Sequence, residues 1–435
     1  MADLKVKMAG IESPNPFWLA SAPPTNTYGQ VARAFDAGWG GAVWKTLAAA
    51  GQHIVNVSSR YSAAHYGAHR VMGLNNIELI TDRPLEVNLA EIRKVKREYP
   101  KHALIVSLMV EPKRETWHET VKRVQDTGCD GLELNFGCPH GMSERGMGSA
   151  VGQVPEYACQ ITTWVKEAAT IPVLVKLTPN ITDIRHPGRA AKQGGADGLS
   201  LINTINSITG IDLNTFVPRP IVGNASSHGG YCGPAVKPIA LNMVQQIAAD
   251  PEIGLPVSGI GGVHTWQDAV EFMLLGATTV QVCTAVMHYG FRIVEGLISG
   301  MSTWMDEHGF RTPTDFIGRS LPHVTDWGNL NLNYKIVASI SEERCIHCGL
   351  CYAACEDGAH QSILKSEVTI GGIQHNRYTI NEQSCVGCNM CQIVCPVEGC
   401  ITMLDKSGDK PAMSWKEYQA KLARGEVAPI PPPEH

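Results

Sequence analysis

No uninterrupted apolar run in the 435-residue chain reaches the ~18 residues needed to cross a bilayer, so no segment is expected to span a membrane. The N-terminus, MADLKVKMAGIESPNP, lacks the apolar core and cleavage site of a secretory leader, and the expectation is a cytoplasmic protein. A charge excess is missing too. Lys and Arg number 36 against 41 Asp and Glu, and the net charge of -5 gives no electrostatic footprint for nucleic acid or an anionic membrane. No Gly-x-Gly-x-x-Gly follows a strand and opens a helix, so no nicotinamide or FAD site is expected in the chain. The remaining balance, 44% hydrophobic and 18% charged, is that of an ordinary globular protein.

Cysteine, by contrast, is plentiful. In a reducing compartment 14 cysteines are more readily metal ligands or catalytic groups than disulfides. Cys345, Cys348, Cys351 and Cys355 follow the spacing Cys-x2-Cys-x2-Cys-x3-Cys. Cys385, Cys388, Cys391 and Cys395 repeat it, with Pro396 next. This is the pattern of bacterial ferredoxins with two [4Fe–4S] clusters, in which the fourth Cys of each run ligates the other cluster. One cluster is therefore expected on Cys345, Cys348, Cys351 and Cys395, and the other on Cys385, Cys388, Cys391 and Cys355. Two zinc knuckles would also use eight cysteines, but this spacing suits tetrahedral zinc poorly. Glu356 rather than Pro follows the first run, which removes no ligand. Cys400, outside both runs, reads as a small buried residue.

Through the first 300 residues, short β-rich runs alternate with amphipathic stretches. The runs are 17–21, 41–45, 104–109, 131–135, 173–177, 198–202, 256–260 and 279–283. The helical stretches include 87–98, 115–127, 155–169, 183–193, 237–249 and 266–275. Eight such units predict a (β/α)8 TIM barrel, an α/β fold, rather than an open doubly wound sheet. Two connections, 47–84 and 203–234, are far longer than the rest. Both follow strand C-termini, where barrel enzymes place their chemistry, and are expected to build binding surface or lids. The expected domains are a barrel over residues 1–310, a linker over 311–340, an α+β two-cluster ferredoxin domain over 341–404, and a tail over 405–435. The tail is expected to be extended, with a short helix at 414–424.

Iron–sulfur clusters move single electrons, so the barrel should hold a group that also works in pairs, and flavin does both. Glycine-rich loops at "SGIGGVHT" (258–265) and "GGYCG" (229–233) offer backbone N–H groups to a phosphate. The predicted rim is polar, with Lys45, Asn135, Lys176, Asn203 and Thr204. Lysines inside the runs "AVWKT" and "VLVKLT" demand a partner, because an unpaired buried ammonium is costly, and an anionic cofactor would satisfy them. Cys138 lies apart from the cluster cysteines, in a glycine-rich loop after the fourth strand.

The strings "LELNFGCPHGMSERGMG", "NPFWLASAPPT" and "VKLTPNITDI", joined to the two ferredoxin runs, resemble the dihydropyrimidine dehydrogenase family, most nearly the FMN and iron–sulfur subunit of its bacterial NAD-dependent members. The resemblance covers residues ~4 to ~404. It implies a dihydroorotate dehydrogenase-like barrel and an oxidoreductase of pyrimidine degradation acting on a CH–CH bond. FMN contacts fall on Ala20, Ser21, Lys45, Lys176, Gly230, Gly261, Gly262, Cys283 and Thr284. Pyrimidine contacts fall on Asn76, Asn135, Asn203 and Thr204, with Glu78 nearby. Amides suit a uracil-type ring, whose edge alternates N–H and C=O groups. The implied reaction is reversible reduction of uracil or thymine to the 5,6-dihydropyrimidine, with hydride from reduced FMN to C6 and a proton from Cys138 to C5. An unperturbed thiol, with a pKa of about 8.5, is mostly protonated at neutral pH, as an acid must be. The family often has Ser where this chain has Gly137. Gly137, Gly141, Gly146 and Gly148 are expected to let the loop close, whereas His140, Glu144 and Arg145 either tune it or are solvated. NAD(P)H and FAD are expected on a separate flavoprotein subunit, in a hetero-oligomer expected to be a heterotetramer, with a homodimer through the barrel. Alternatives are a dihydroorotate dehydrogenase-like enzyme, a related amide-ring or enoate reductase, and a pure electron carrier.

Overall fold

The computed structural model describes residues 2–67 and 70–429. The chain divides by packing between His323 and Val324.

In the first unit eight parallel strands close into a barrel in chain order: Phe17–Leu19, Gly41–Leu47, Ala103–Leu108, Gly131–Asn135, Val173–Lys176, Gly198–Leu201, Val257–Ile260 and Ala277–Val282. Pairing of the last strand with the first, Val280 opposite Phe17 and Val282 opposite Leu19, completes the ring. The strands read as near-continuous apolar runs because helices cover the outside and side chains fill the inside. All seven residues of Gly41–Leu47 and all six of Ala103–Leu108 are buried. Each expected strand is present, and so are the six expected helical stretches, within a few residues at their ends. Tyr28–Ala37, Thr284–Tyr289 and Ile293–Glu307 add helices to the outer layer. The barrel interior is not wholly apolar. Ser107, Glu133, Ser200, Ser258, Thr279 and Gln281 are all buried there.

Three features lie outside the strand pattern. A hairpin, Val6–Met8 with Ile11–Ser13, packs Met8 and Ile11 against Trp18, Ile105 and Leu174, closing the barrel at its N-terminal end. The two long connections meet in one antiparallel sheet, ordered Ile205–Ser207, Gly229–Cys232, Arg70–Asn76, Tyr61–Tyr66. That sheet sets Gly230 opposite Asn76. No helix among the described residues is long and apolar enough to cross a membrane.

In the second unit Ile336–Ile340 pairs with Ile401–Asp405, and Ile363–Ile370 forms a hairpin with Ile373–Ile380. The duplication seen in the cysteine spacing is also a backbone duplication. His347 and Gly349 take left-handed φ of 58° and 78°, and Gly387 and Asn389 match them at 69° and 67°. Strand Ile336–Ile340 and the packing boundary both fall inside the 311–340 segment expected to be linker. The pairing that makes it a strand joins Ile336 to Asp405, far along the chain, so local periodicity carries no trace of it. Asp405, expected to open the tail, ends the partner strand. The tail itself holds a helix, Trp415–Ala423, capped by the Ser414–Glu417 box, with the Trp415 ring tilted against Trp327 at a centroid distance of 6.1 Å. The last stretch expected to be extended, 430–435, lies outside the described residues.

Candidate active site

Over the C-terminal ends of the barrel strands opens a cleft. Ala20 and Ser21 follow the first strand, Lys45 comes from the second, Asn135 and Lys176 end the fourth and fifth, and Asn203 and Thr204 follow the sixth. All line the cleft. Gly261, Gly262, Cys283 and Thr284 line it from strands seven and eight, and Asn76 and Glu78 from the first long connection. Gly230 alone of the expected barrel-site residues does not. It lies buried in the four-stranded sheet, where its carbonyl accepts from Asn76 Nδ2 at 2.9 Å and a Cβ would come 2.0 Å from Thr204 Oγ1.

The two buried lysines already have carboxylate partners. Lys45 Nζ pairs with Glu78 Oε1, and Lys176 Nζ lies 3.7 Å from Glu133 Oε1. An anionic cofactor is therefore not needed to neutralise them, contrary to the expectation from their apolar runs. Glu133 is wholly buried, its other oxygen accepting from Ser200 Oγ at 2.8 Å and Gln281 Nε2 at 3.1 Å. Sequence reasoning missed Glu133, though a signal existed. In "GLELN" it alternates with two leucines and so faces inward with Asn135, and a carboxylate is almost never fully buried unpaired. Gln281 and Ser200 offered no comparable sign.

The amides are held in defined rotations. Asn135 Nδ2 donates to Thr46 Oγ1 at 3.0 Å, and its Oδ1 accepts from Asn203 Nδ2 at 2.9 Å and Gly137 N at 3.2 Å. Asn203 Oδ1 in turn accepts from Thr204 N at 2.8 Å. Such side-chain chains order a polar wall without a ligand present.

Cys138 sits in the loop after the fourth strand, buried, with its carbonyl accepting from Ser149 N at 3.0 Å and its thiol directed to the His140 carbonyl at 3.5 Å. Burial pushes the thiol up to about 11, and the His140 main chain and the Lys176 charge only partly oppose this. The thiol is thus protonated across the neutral range. His140 Nε2 lies 3.1 Å from the Glu78 carbonyl and donates to it, which ties the loop to the opposite wall. Burial lowers the His140 pKa, so the ring is neutral at neutral pH. Glu144 and Arg145 are exposed. Gly141, Gly146 and Gly148 hold φ of 60°, 74° and 58°, a region that disfavours side chains. Gly137 is required for another reason, since a Cβ there would lie 2.4 Å from Asn203 Cβ.

A flavin mononucleotide fits these walls. Glu78 Oε2, His140 Nδ1, His264 Nε2 and Gln281 Oε1 belong to residues lining the cleft, and each is buried without a partner in the protein. Buried polar atoms in that state call for a ligand or ordered water. Gly261 and Gly262, with φ of 133° and 78°, turn the chain tightly after the seventh strand. A Cβ on Gly262 would come 2.9 Å from the Gly233 carbonyl, so the two glycine loops close on each other as a cradle does.

In the second unit one of the two expected crossed sets lines a common cavity. Cys355, Cys385, Cys388 and Cys391 line one cavity, the last thiol of the first run joining three of the second. Cys345 and Cys348 neighbour Cys351, and Cys400 abuts both Cys345 and Cys395. Backbone N–H groups already face the sulfurs, His347 N at 3.4 Å from Cys345 Sγ and Ser362 N at 3.3 Å from Cys355 Sγ. Donors of this kind favour thiolate ligands. Cys400 is buried, as expected.

Comparison with known proteins accords with both units. A family model described as dihydroorotate dehydrogenase matches residues 3–305, and one described as a 4Fe-4S dicluster domain matches residues 338–403. The chain is 44% identical over 369 residues to the NAD-dependent dihydropyrimidine dehydrogenase subunit PreA of Escherichia coli (strain K12), covering 84% of this chain and 89% of that one. It is 45% identical over 332 residues to the chloroplastic dihydropyrimidine dehydrogenase (NADP(+)) of Arabidopsis thaliana, covering 74% and 78%. It is also 38% identical over 320 residues to the catalytic subunit of dihydroorotate dehydrogenase B (NAD(+)) of Pyrococcus abyssi, covering 73% and 99%.

Proposed function

The chain belongs to the dihydroorotate dehydrogenase family, as an oxidoreductase subunit of the dihydropyrimidine dehydrogenase kind with a 4Fe-4S dicluster domain, and from that premise we propose that it interconverts uracil or thymine and the 5,6-dihydropyrimidine, with Cys138 as the proton donor to C5. The observation that carries this reading is the Cys138 thiol, kept protonated by burial and set beside an ordered wall of amides. Asn76, Asn135, Asn203 and Thr204 answer the alternating N–H and C=O groups of the ring, and Glu78 offers an unpaired acceptor. Bound FMN supplies the two-electron reducing power and exchanges single electrons with the clusters. Ala20, Ser21, Lys45, Lys176, Gly261, Gly262, Cys283 and Thr284 would hold it, with Gly230 shaping the sheet behind Thr204. The donor, NAD(P)H, is served by a separate FAD flavoprotein in a heterotetramer, and the barrels pair as a homodimer.

The test is an anaerobic spectrum of the purified chain, then reduction with dithionite and addition of uracil, thymine or orotate. Flavin reoxidation by uracil or thymine is expected, and reoxidation by orotate alone would overturn the substrate. Cys138→Ala should keep flavin and iron yet lose most uracil-dependent reoxidation, and a near-normal rate in that variant would overturn the acid assignment.

A further inference from the structure

Arg60 stands in no motif of the sequence. It lies just before the strand Tyr61–Tyr66 with about a third of its side chain exposed, yet its guanidinium turns inward. Nε donates to the Val57 carbonyl at 3.1 Å, Nη1 donates to Glu78 Oε1 at 3.2 Å, and Nη2 lies 3.8 Å from Asp82 Oδ2. Its own carbonyl accepts from Ile77 N at 3.0 Å. One residue thus binds the connection on both sides of Glu78.

Glu78 is the junction at which these contacts meet. Its carboxylate is 7% exposed, and Oε1 receives both Lys45 Nζ and Arg60 Nη1. Oε2 is left buried and without a partner in a residue that lines the cleft. An ammonium alone is a point charge that either carboxylate oxygen satisfies, so Lys45 does not define which oxygen is left free. A planar guanidinium anchored at Val57 has a fixed direction, and it sets both cations on one oxygen.

We propose that Arg60 is a positioning residue that acts through Glu78, holding Oε2 free in the cleft wall as the acceptor for a ring N–H of the pyrimidine. The inference rests on the substrate class proposed above. Arg60 itself does not line the cleft and touches no reacting atom. Its removal leaves Lys45 to share the carboxylate by either oxygen, so the acceptor is lost for part of the time while the proton donor and flavin walls keep their places.

The experiment measures uracil affinity of the oxidised holoenzyme by perturbation of the flavin spectrum in wild type, Arg60→Gln, Arg60→Lys, Glu78→Gln and the double variant Arg60→Gln/Glu78→Gln. Flavin and iron content and thermal midpoint establish that each variant is folded. Arg60→Gln is expected to weaken uracil about tenfold, to raise KM by a similar factor and to leave kcat within about twofold, with Arg60→Lys recovering much of the loss. In the Glu78→Gln background the same change should add less than about twofold, because residues acting through one another are not additive. Wild-type affinity in Arg60→Gln, or the same loss with and without Glu78, overturns the inference. A wild-type enzyme that neither binds nor reduces uracil overturns the substrate class and this inference with it, whereas the first two results leave the substrate class standing.

Discussion

Glu133 and Lys176, on adjacent parallel strands at the floor of the cleft, bring a buried carboxylate oxygen to 3.7 Å from a buried ammonium. Removing one partner of a buried pair leaves an uncompensated charge and costs roughly 3–5 kcal/mol. Glu133→Ala is therefore expected to lower chemical-denaturation stability by about that amount. Glu133→Gln should lose less, because an amide keeps hydrogen bonding to Ser200 and Gln281. Equal stability of Glu133→Ala and wild type would show that Lys176 finds its balance elsewhere.

Proton donation by Cys138 requires the thiol form, and burial pushes that thiol up to about 11. The single-turnover rate of uracil reduction should stay level from neutral pH upward and fall only as pH approaches about 11. Cys138→Ser should be impaired rather than inactive and should lose this alkaline limb. A wild-type limb near 8.5, the ordinary thiol range, would mean the thiol is solvated during turnover.

Gly137 abuts Asn203, with a Cβ placed only 2.4 Å from its Cβ. Gly137→Ser should push Asn203 off the Asn135 amide and weaken pyrimidine binding about tenfold. Titration of the oxidised enzyme with uracil tests this. Unchanged affinity would mean that Asn203 is free to move aside.

Cys355 lies with the three thiols of the second run, not with its own. Cys355→Ala should lose the cluster held by Cys385, Cys388 and Cys391 and keep the other, leaving about four of eight irons. Iron analysis with electron paramagnetic resonance reads the result, and Cys400→Ala should retain both clusters. Loss of the first-run cluster in Cys355→Ala would mean that each run closes on itself.

Much of the architecture was legible residue by residue. A parallel strand buried on both faces must be apolar throughout, so "LIVSLM" and "VLVKL" announce themselves. The repeated Cys-x2-Cys-x2-Cys-x3-Cys spacing leads to the expectation of crossed cluster sets, and Cys355 does line a cavity with Cys385, Cys388 and Cys391. Cys138 stood out because it lies far from both runs, on a loop at the catalytic end of a barrel strand.

Whatever depends on contacts between distant residues was decided only by the tertiary structure. Lysine inside an apolar run signals a need for a counter-charge, but which group answers is a matter of folding. Here Glu78, 33 residues along, answers for Lys45, and a network reaching from Glu133 to Gln281, 148 residues apart, fixes the carboxylate that answers for Lys176. The same holds for the sheet assembled from the two long connections, and for strand Ile336–Ile340, whose partner ends at Asp405. Composition, period and ligand spacing are properties of neighbouring residues and survive in the sequence. Electrostatic balance and long-range pairing are properties of the folded units, and they come into being only when the chain folds.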